Sequence, residues 1–413
     1  MNEKHSAESL SGTLILLLAV GLASCGGEAT TGGPTAVRDS AGVEIVDLAE
    51  DAWSALPRLG TAADPLLSIG AVGGSQDEIL FGVTAGAVLE KGRIAVLNAG
   101  TREVRVYGPD GALAYDQGED GEGPGEYRQP RHLYTLPGDS LVVWDRRLLR
   151  ITVVDPQGAA VRDVRVPGRP TATVVEGVFS DGSFLVFRQR FLEEQHAADQ
   201  EFQGYYSRYS PSGDSLNAVG VFPWMRMITG APEGERGGMQ VVQTGPPVFD
   251  APTEVAVTGD GVWVGTREEN EILWLSRSGE TERIVRWEGP DRTVTDAVKE
   301  AYYDELRERL AANQAPGAVR GPSRGRPFAD EIPSHGELVG RDDGGLWMEE
   351  FSVPGLGPTN RWRIFGPTGR PEAVVQLPPE SEVLWAGRER VLLRVRDDLG
   401  VEYVRLYELV EGA

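Results

Sequence analysis

A single cysteine, Cys25, leaves no partner for an intramolecular disulfide anywhere in the 413 residues, so the fold is built without covalent staples. Histidine is almost as scarce. His5, His132, His196 and His335 are the full set, and none has a second His or Cys at ligand spacing, which excludes a zinc centre of the usual kind. Basic residues are outnumbered: 40 Lys and Arg face 63 Asp and Glu, for a net charge of −23. Binding a phosphate backbone needs concentrated positive charge, so nucleic acid is excluded as a partner. The acidity suits solubility and freedom from self-association. No apolar run is long enough to span a bilayer; LILLLAVGLA at 14–23 has the length of a signal-peptide core. What the chain has in plenty is 53 Gly and 27 Pro, the punctuation of an all-β protein with many turns. An apolar share of 40% with nine Trp is enough for a buried core.

The apolar run ends in Leu22-Ala23-Ser24-Cys25, followed by Gly26-Gly27. That order resembles the bacterial lipobox, in which small residues let the chain enter a peptidase extended and the thiol accepts diacylglycerol. The resemblance implies a lipoprotein signal at 1–25, lipidation of Cys25, and membrane contact through that anchor only. Gly26 and Gly27 carry no inner-membrane retention acid, which by the same resemblance points to the outer membrane of the cell envelope. Residues 26–40 read as a flexible tether and 41–413 as the folded domain.

That domain is a repeat. VTAGAVLEKGRIAVLNAGTREVRVYGPDGALAYDQG and HLYTLPGDSLVVWDRRLLRITVVDPQGAAVRDVRV are two of its units, and the alternation recurs to the C-terminus. Each unit reads strand, tight turn, strand, loop, strand, tight turn, strand, with PGD, SDG, GDG, DDG and then PDG, PQG, PSG, RSG, PTG as turns. Trp144, Trp263 and Trp347 recur at similar depth in the second strands. Six such units of roughly 40 residues predict a six-bladed β-propeller with one four-stranded sheet per blade. The sixth unit runs out of chain before its fourth strand. PLLSIGAVGG at 65–74 supplies an unpaired strand that can complete it and close the ring.

GEDGEGPGEYRQP at 118–130 then reads as a connector between blades. No helix follows it to give a phosphate site, and its acids lack the alternating spacing of a calcium loop. Gly118, Gly121, Gly123, Gly125, Tyr127 and Pro130, with the patterns VLNAGTREVRVYGPDG and VWDRRLLRITVVDPQG, resemble the NHL-type six-bladed propellers. More closely they resemble the six-bladed propeller lipoproteins of bacteria, over about residues 40–413. The resemblance implies the fold and leaves function open, since this architecture hosts lactonases, lyases, receptors and scaffolds. Where the NHL pattern has Asp, Asn and Arg after the second strand, this chain has Asn98, Thr101 and Glu103, then Asp145, Leu148 and Arg150.

Hydrolase motifs dissolve into turns. Gly138-Asp139-Ser140-Leu141 and Gly213-Asp214-Ser215-Leu216 sit where strands begin, and Gly321-Pro322-Ser323-Arg324-Gly325 lies in a Gly/Pro/Arg loop rather than at a strand-to-helix elbow. His132, at the start of an innermost strand, reads as structural. The ends of the second strands carry Asn98, Asp145, Arg188, Thr266, Glu349 and Arg394. Asn98, Asp145 and Glu349 could converge on a divalent ion such as calcium, as in lactonase-type propellers. Arginine–carboxylate pairing would satisfy the same ring with no cofactor.

The long insertions, at 189–204, 222–250, 289–335 and 352–360, fall in loops of one face only, which marks a binding face. FPWMRMITG puts Trp224, Met225, Arg226 and Met227 in a connector. Residues 293–313 predict one helix on that top face, with Thr293 and Asp296 as a capping box and Val294, Val298, Tyr302, Leu306 and Leu310 as an apolar stripe. Arg188, Arg226, Arg320, Arg324 and Arg326 are expected to rim a positive entrance under this lid. The reading is a non-catalytic binding or scaffold lipoprotein for an envelope protein or a small acidic ligand. The alternative is a metal-dependent hydrolase or lactonase in the central channel.

Overall fold

Alternating apolar residues bounded by Gly- and Asp-rich turns make antiparallel strands throughout the computed structural model, which describes residues 34–189, 200–230, 235–236, 239–240, 244–312, 325–353, 355–356 and 359–412. The first unit joins Val83–Val88, Ile94–Asn98, Glu103–Tyr107 and Leu113–Gln117 in sequence order. The second joins Pro130–Leu136, Ser140–Asp145, Arg150–Val154 and Ala160–Arg165. Thr173–Val178, Phe184–Gln189, Gln200–Tyr209 and Ser215–Thr229 make the third. Glu254–Thr258, Gly261–Gly265, Glu271–Ser276 and Thr281–Trp287 make the fourth. The fifth holds Leu338–Gly340, Leu346–Glu349, Arg361–Phe365 and Pro371–Gln376. A sixth holds Glu382–Ala386, Arg390–Arg396 and Glu402–Glu411. On the last of these lies Leu67–Ile69, antiparallel, with Ile69 opposite Val404 and Leu67 opposite Leu406.

Each unit buries its faces against its neighbours. Val142, Trp144 and Ile151 of the second unit share an apolar cluster with Val175, Phe184 and Val186 of the third. The sixth returns to the first through Leu392, Val404, Val83 and Ile94. The first strands likewise approach one another in turn, that of the sixth unit beside that of the first. The recurring tryptophans tie this arrangement together. Trp144, Trp263 and Trp347 are fully buried, and the indole N–H of Trp263 donates to the Gly344 carbonyl at 3.1 Å while that of Trp347 donates to Gly387 at 3.2 Å. Each of these two bonds reaches the first turn of the next unit.

The N-terminal segment starts earlier than its composition suggests. Residues 34–40 were expected to belong to the tether, yet Thr35–Ser40 pairs with Val43–Leu48 as a hairpin. Ala41 and Gly42 take φ of 57° and 86°, the doubly positive turn that suits hairpin twist. Val43–Leu48 then runs parallel to Thr281–Trp287 on the outside of the fourth unit. Arg58–Thr61 bridges Pro371–Gln376 and Glu402–Glu411.

The glycine-rich stretch folds around one ring. Tyr127 is fully buried, its hydroxyl lies 2.5 Å from Gln117 Oε1, and its backbone N–H donates to Glu119. Gly118 has φ of 112°, and a Cβ there would stand 2.5 Å from the Tyr127 ring. Only glycine fits. The stretch links the outer strand of one unit to the first strand of the next, as a connector.

Asp296–Ala312 is the one α-helix among the described residues. Its cap is Thr295 rather than Thr293: Thr295 Oγ1 accepts from the Val298 N–H, while the Thr293 hydroxyl donates to Asp291. Among the described residues no helix is long and apolar enough to cross a membrane.

Candidate functional site

The insertions assemble into a lid by aromatic packing. Phe249 meets Tyr302, Phe328 and Phe351, with ring centroids 5.6, 5.7 and 6.0 Å apart, and Tyr303 packs edge-on to Phe328. Backbone bonds stitch the segments: Val248 donates to Pro327, Ala329 to Val248, Val294 to Asp330 and Ser334 to Arg267. Of the anticipated helix stripe, Val294 is buried and Val298, Tyr302, Leu306 and Leu310 are half-buried; the buried Tyr303 is a member the stripe missed. FPWMRMIT, read as connector, instead prolongs a strand. Ser215–Thr229 continues beside Gln200–Tyr209, with Arg226 opposite Glu201 and Met225 opposite Phe202. Backbone pairing explains why apolar residues persist there, and Trp224 stacks obliquely on Phe187 at 5.5 Å.

Two adjoining cavities lie between this lid and the loop after the second strand of the fourth unit. One, about 230 Å³, is walled by Arg226, Arg267 and Arg292 among Phe249, Asp250 and Glu331. The other, about 320 Å³, is walled by Phe202, Trp224, Met225 and Glu201. They share Arg226, Asp250, Ala251 and Glu268.

The arginines of this face are held by their neighbours. Arg226 Nε lies 2.6 Å from Asp250 Oδ1, and its backbone N–H donates to the other oxygen of the same carboxylate. Arg326 donates to the carbonyls of Pro246 and Pro247. Arg188 is elsewhere in its bonding: it donates to Pro167 O and lies over the Tyr209 ring. Arg320, Arg324 and Ser323 lie outside the described residues, as does Cys25. Arg267 and Arg292, which the sequence reading passed over, complete the positive side of the smaller cavity. Arg267 pairs with Glu254 at 2.8 Å and Arg292 with Glu331 at 2.6 Å.

The side chains that could have converged on a divalent ion are engaged with their own neighbours. Asp145 spends one oxygen on the backbone N–H groups of Arg128 and Gln129 and the other on that of Leu148. Asn98 accepts from the Phe81 N–H and donates to Thr101. Glu349 accepts from the Glu337 N–H, and Arg394 reaches Glu382 and the Val83 carbonyl. These side chains fasten loops to strand ends. Among the described residues no group of three or more His, Cys, Asp or Glu is placed to hold a metal. Ser140 and Ser215 open strands directly after tight turns: Asp139 before the first is bound by Arg93 at 2.6 Å, and Gly213 before the second has φ of 92°.

The titratable groups the sequence did not single out line the channel instead. Glu254, Glu337 and Glu382 stand at the N-terminal ends of first strands in three successive units. Burial pushes the Glu337 carboxyl up to about 7, with the charges of Glu254, Glu349 and Glu382 adding to it. Glu176, on the third unit, is pushed up to about 7 by burial and by Glu254. His132 and His335 are both brought down to about 4, chiefly by burial, so both are neutral at pH 7. His335 rests its Nδ1 2.8 Å from the Gly336 carbonyl, and its ring occupies the space a Cβ on Gly265 would need. A period-2 pattern cannot reveal such carboxylates, because the channel-facing position of a first strand looks like any exposed one.

No protein-family model matches the chain, and no curated protein matches it. Among solved structures it is similar to a Bacteroides fragilis protein inferred to be exported, with a TM-score of 0.49 and 11% identity over 89% of this chain and 100% of that one. A virginiamycin B lyase from Staphylococcus aureus gives 0.38 and 10% over 86% and 96%. A gluconolactonase from Xanthomonas campestris gives 0.38 and 12% over 86% and 97%. Likeness this distant says nothing of function; the strands and their pairing themselves make this chain all-β, with sheets in a propeller-like arrangement.

Proposed function

We propose that this chain is a six-bladed β-propeller closed by Leu67–Ile69, lipidated at Cys25 in the bacterial envelope, that binds a partner or a small acidic ligand through its lidded face without catalysing a reaction. The cyclic order of apolar clusters supports the closure, and the lipobox supports the anchor. One observation carries the binding role: the long insertions fold together on one face and leave two joined cavities between them. Arg226, Arg267 and Arg292 supply the cations there, each already paired with a carboxylate that an acidic ligand would replace. Trp224, Met225 and Phe202 supply the apolar wall. Such a cleft has the few convergent polar groups and apolar surface of a ligand site.

The test is a thermal-shift screen with dicarboxylates and acidic peptides on wild type, Arg226→Ala and Trp224→Ala. A stabilisation seen in wild type and lost in both variants sustains the reading. A stabilisation equal in all three places the ligand elsewhere. Fatty-acid labelling that persists in Cys25→Ser would remove the anchor from the proposal.

A further inference from the structure

At the opposite end of the strands a third cavity, about 580 Å³, is lined by the first strands of all six units, from Gly86–Val88 round to Leu384 and Trp385. Its wall mixes polar and apolar surface, with Val178, Val257, Val339 and Leu384 on four units forming the aliphatic part. Glu176 is set into that wall by a bulge. Val175 pairs with Val186 and Gly177 with Leu185, so Glu176 is the extra residue, and a bulge re-aims such a residue out of the ladder. Gly177 fixes the kink, since a Cβ there would stand 2.4 Å from Val257. No hydrogen bond or ion pair to another side chain is found for the Glu176 carboxylate among the described residues. Thr258 in the same wall is 4% exposed, and its hydroxyl has no partner among the described residues.

The charges around the cavity favour a cation. Arg341 is 2% exposed and consumed by Asp343 and Glu372, and Asp139 is consumed by Arg93. That leaves Glu90, Glu176 and Asp342 against Arg390 at the rim. Beyond Glu176, Glu254 is near enough to act on it, but its own carboxylate is paired with Arg267. A metal ion needs several oxygens converging within about 2.6 Å, and here a lone carboxylate stands among valines. An ammonium group on an alkyl chain needs one carboxylate, one further acceptor and an apolar wall.

We propose that this cavity binds a linear di- or polyamine. One ammonium sits on Glu176 and Thr258, the methylenes run along Val178, Val257, Val339 and Leu384, and the second ammonium reaches Asp342 at the mouth. The site is separate from the lid cleft and does not depend on it.

Titration calorimetry with spermidine on the full chain tests this. At pH 8 the Glu176 carboxylate is ionised and the amine is charged, so wild type binds. Glu176→Gln, which keeps the shape, lowers affinity roughly tenfold, as does Asp342→Asn. At pH 5.5 Glu176 is protonated, since burial and the Glu254 charge hold it near 7; Tyr134 and Tyr206 are the other titratable groups that act on it, and Glu90, Asp342 and Arg390 stand elsewhere in the cavity wall. Wild-type affinity therefore falls between pH 8 and 5.5, whereas that of Glu176→Gln barely changes. A circular-dichroism melt of Glu176→Gln at least as high as wild type shows the variant is folded. Absence of heat at pH 8, equal affinity in wild type and Glu176→Gln, or calcium bound in a form spermidine cannot displace overturns the proposal. Acidic probes binding the lid cleft while spermidine fails would leave the proposed function standing and this site alone refuted.

Discussion

The two ends of the strands obey different rules. At one end, the turn between third and fourth strands repeats the same device in the first five units. Gly111, Gly158, Gly213, Gly279 and Gly369 all have positive φ between 71° and 92°, and each donates its N–H back to the residue three earlier. At the other end no two loops are alike, and order comes from side chains: five aromatic rings and a handful of backbone bonds between distant segments. Repeated local chemistry makes an end that cannot vary. Unique tertiary packing makes one that can acquire a ligand without disturbing the sheets.

The largest effect that could sharpen this contrast comes from exchanging whole segments. Deleting residues 34–75 removes Leu67–Ile69 and Arg58–Thr61 from Glu402–Glu411, exposing long strand edges. Loss of a cooperative melt and aggregation are expected. Replacing Asp296–Ala312 by a short Gly-Ser linker removes a single element longer than any strand lost in that deletion, yet the melt should stay cooperative and within a few degrees of wild type. If the two variants melt alike, the lid is not an addition to the sheets.

A smaller effect separates the ends residue by residue. In Gly279→Ala the new Cβ would stand 2.5 Å from the Val219 carbonyl oxygen with φ at 90°, so roughly 2 kcal/mol of stability should be lost. Urea unfolding measures it. The midpoint should move with the slope unchanged; a neutral result would mean the turn relaxes freely.

The smallest effect is on the lid. Phe328 is half-buried, so Phe328→Ala should cost roughly 1–2 kcal/mol, and only locally. Hydrogen exchange should quicken at the Val248 and Ala329 amides, which bond across the lid, while the Trp263 and Trp347 regions keep their protection. Equal quickening everywhere would mean the lid and the sheets open together.

The strands, their turns and the returning segment at 67–69 were legible because each is dictated locally: period-2 alternation, a Gly where φ turns positive, a Trp at a repeated depth. The lid was legible only in outline. Composition flagged Trp224 and the helix, but whether FPWMRMIT was loop or strand depended on Gln200–Tyr209 lying beside it. The cap at Thr295 rather than Thr293 was equally out of reach, because Thr293 has the acid three residues on that the pattern asks for, whereas its bridge to Glu331 holds it outside the helix. Pairing of Arg226 with Asp250 and of Asp145 with backbone amides changed the meaning of residues that had been correctly singled out.

By itself, then, the sequence determined an acidic, all-β repeat with one elaborated end, since alternation, turn chemistry and insertion position are properties of neighbours along the chain. Tertiary structure alone decided which charges are spent and which are left over. Glu176 comes from the third unit, Glu254 and Arg267 from the fourth and Glu337 from the fifth, and nothing in their local sequence records that the ring of first strands brings their charges to one axis. Glu176 shows the reason most plainly: a single bulged position, pressed from the next unit by Val257 against Gly177, turns an ordinary surface acid into an unpaired carboxylate inside a cavity.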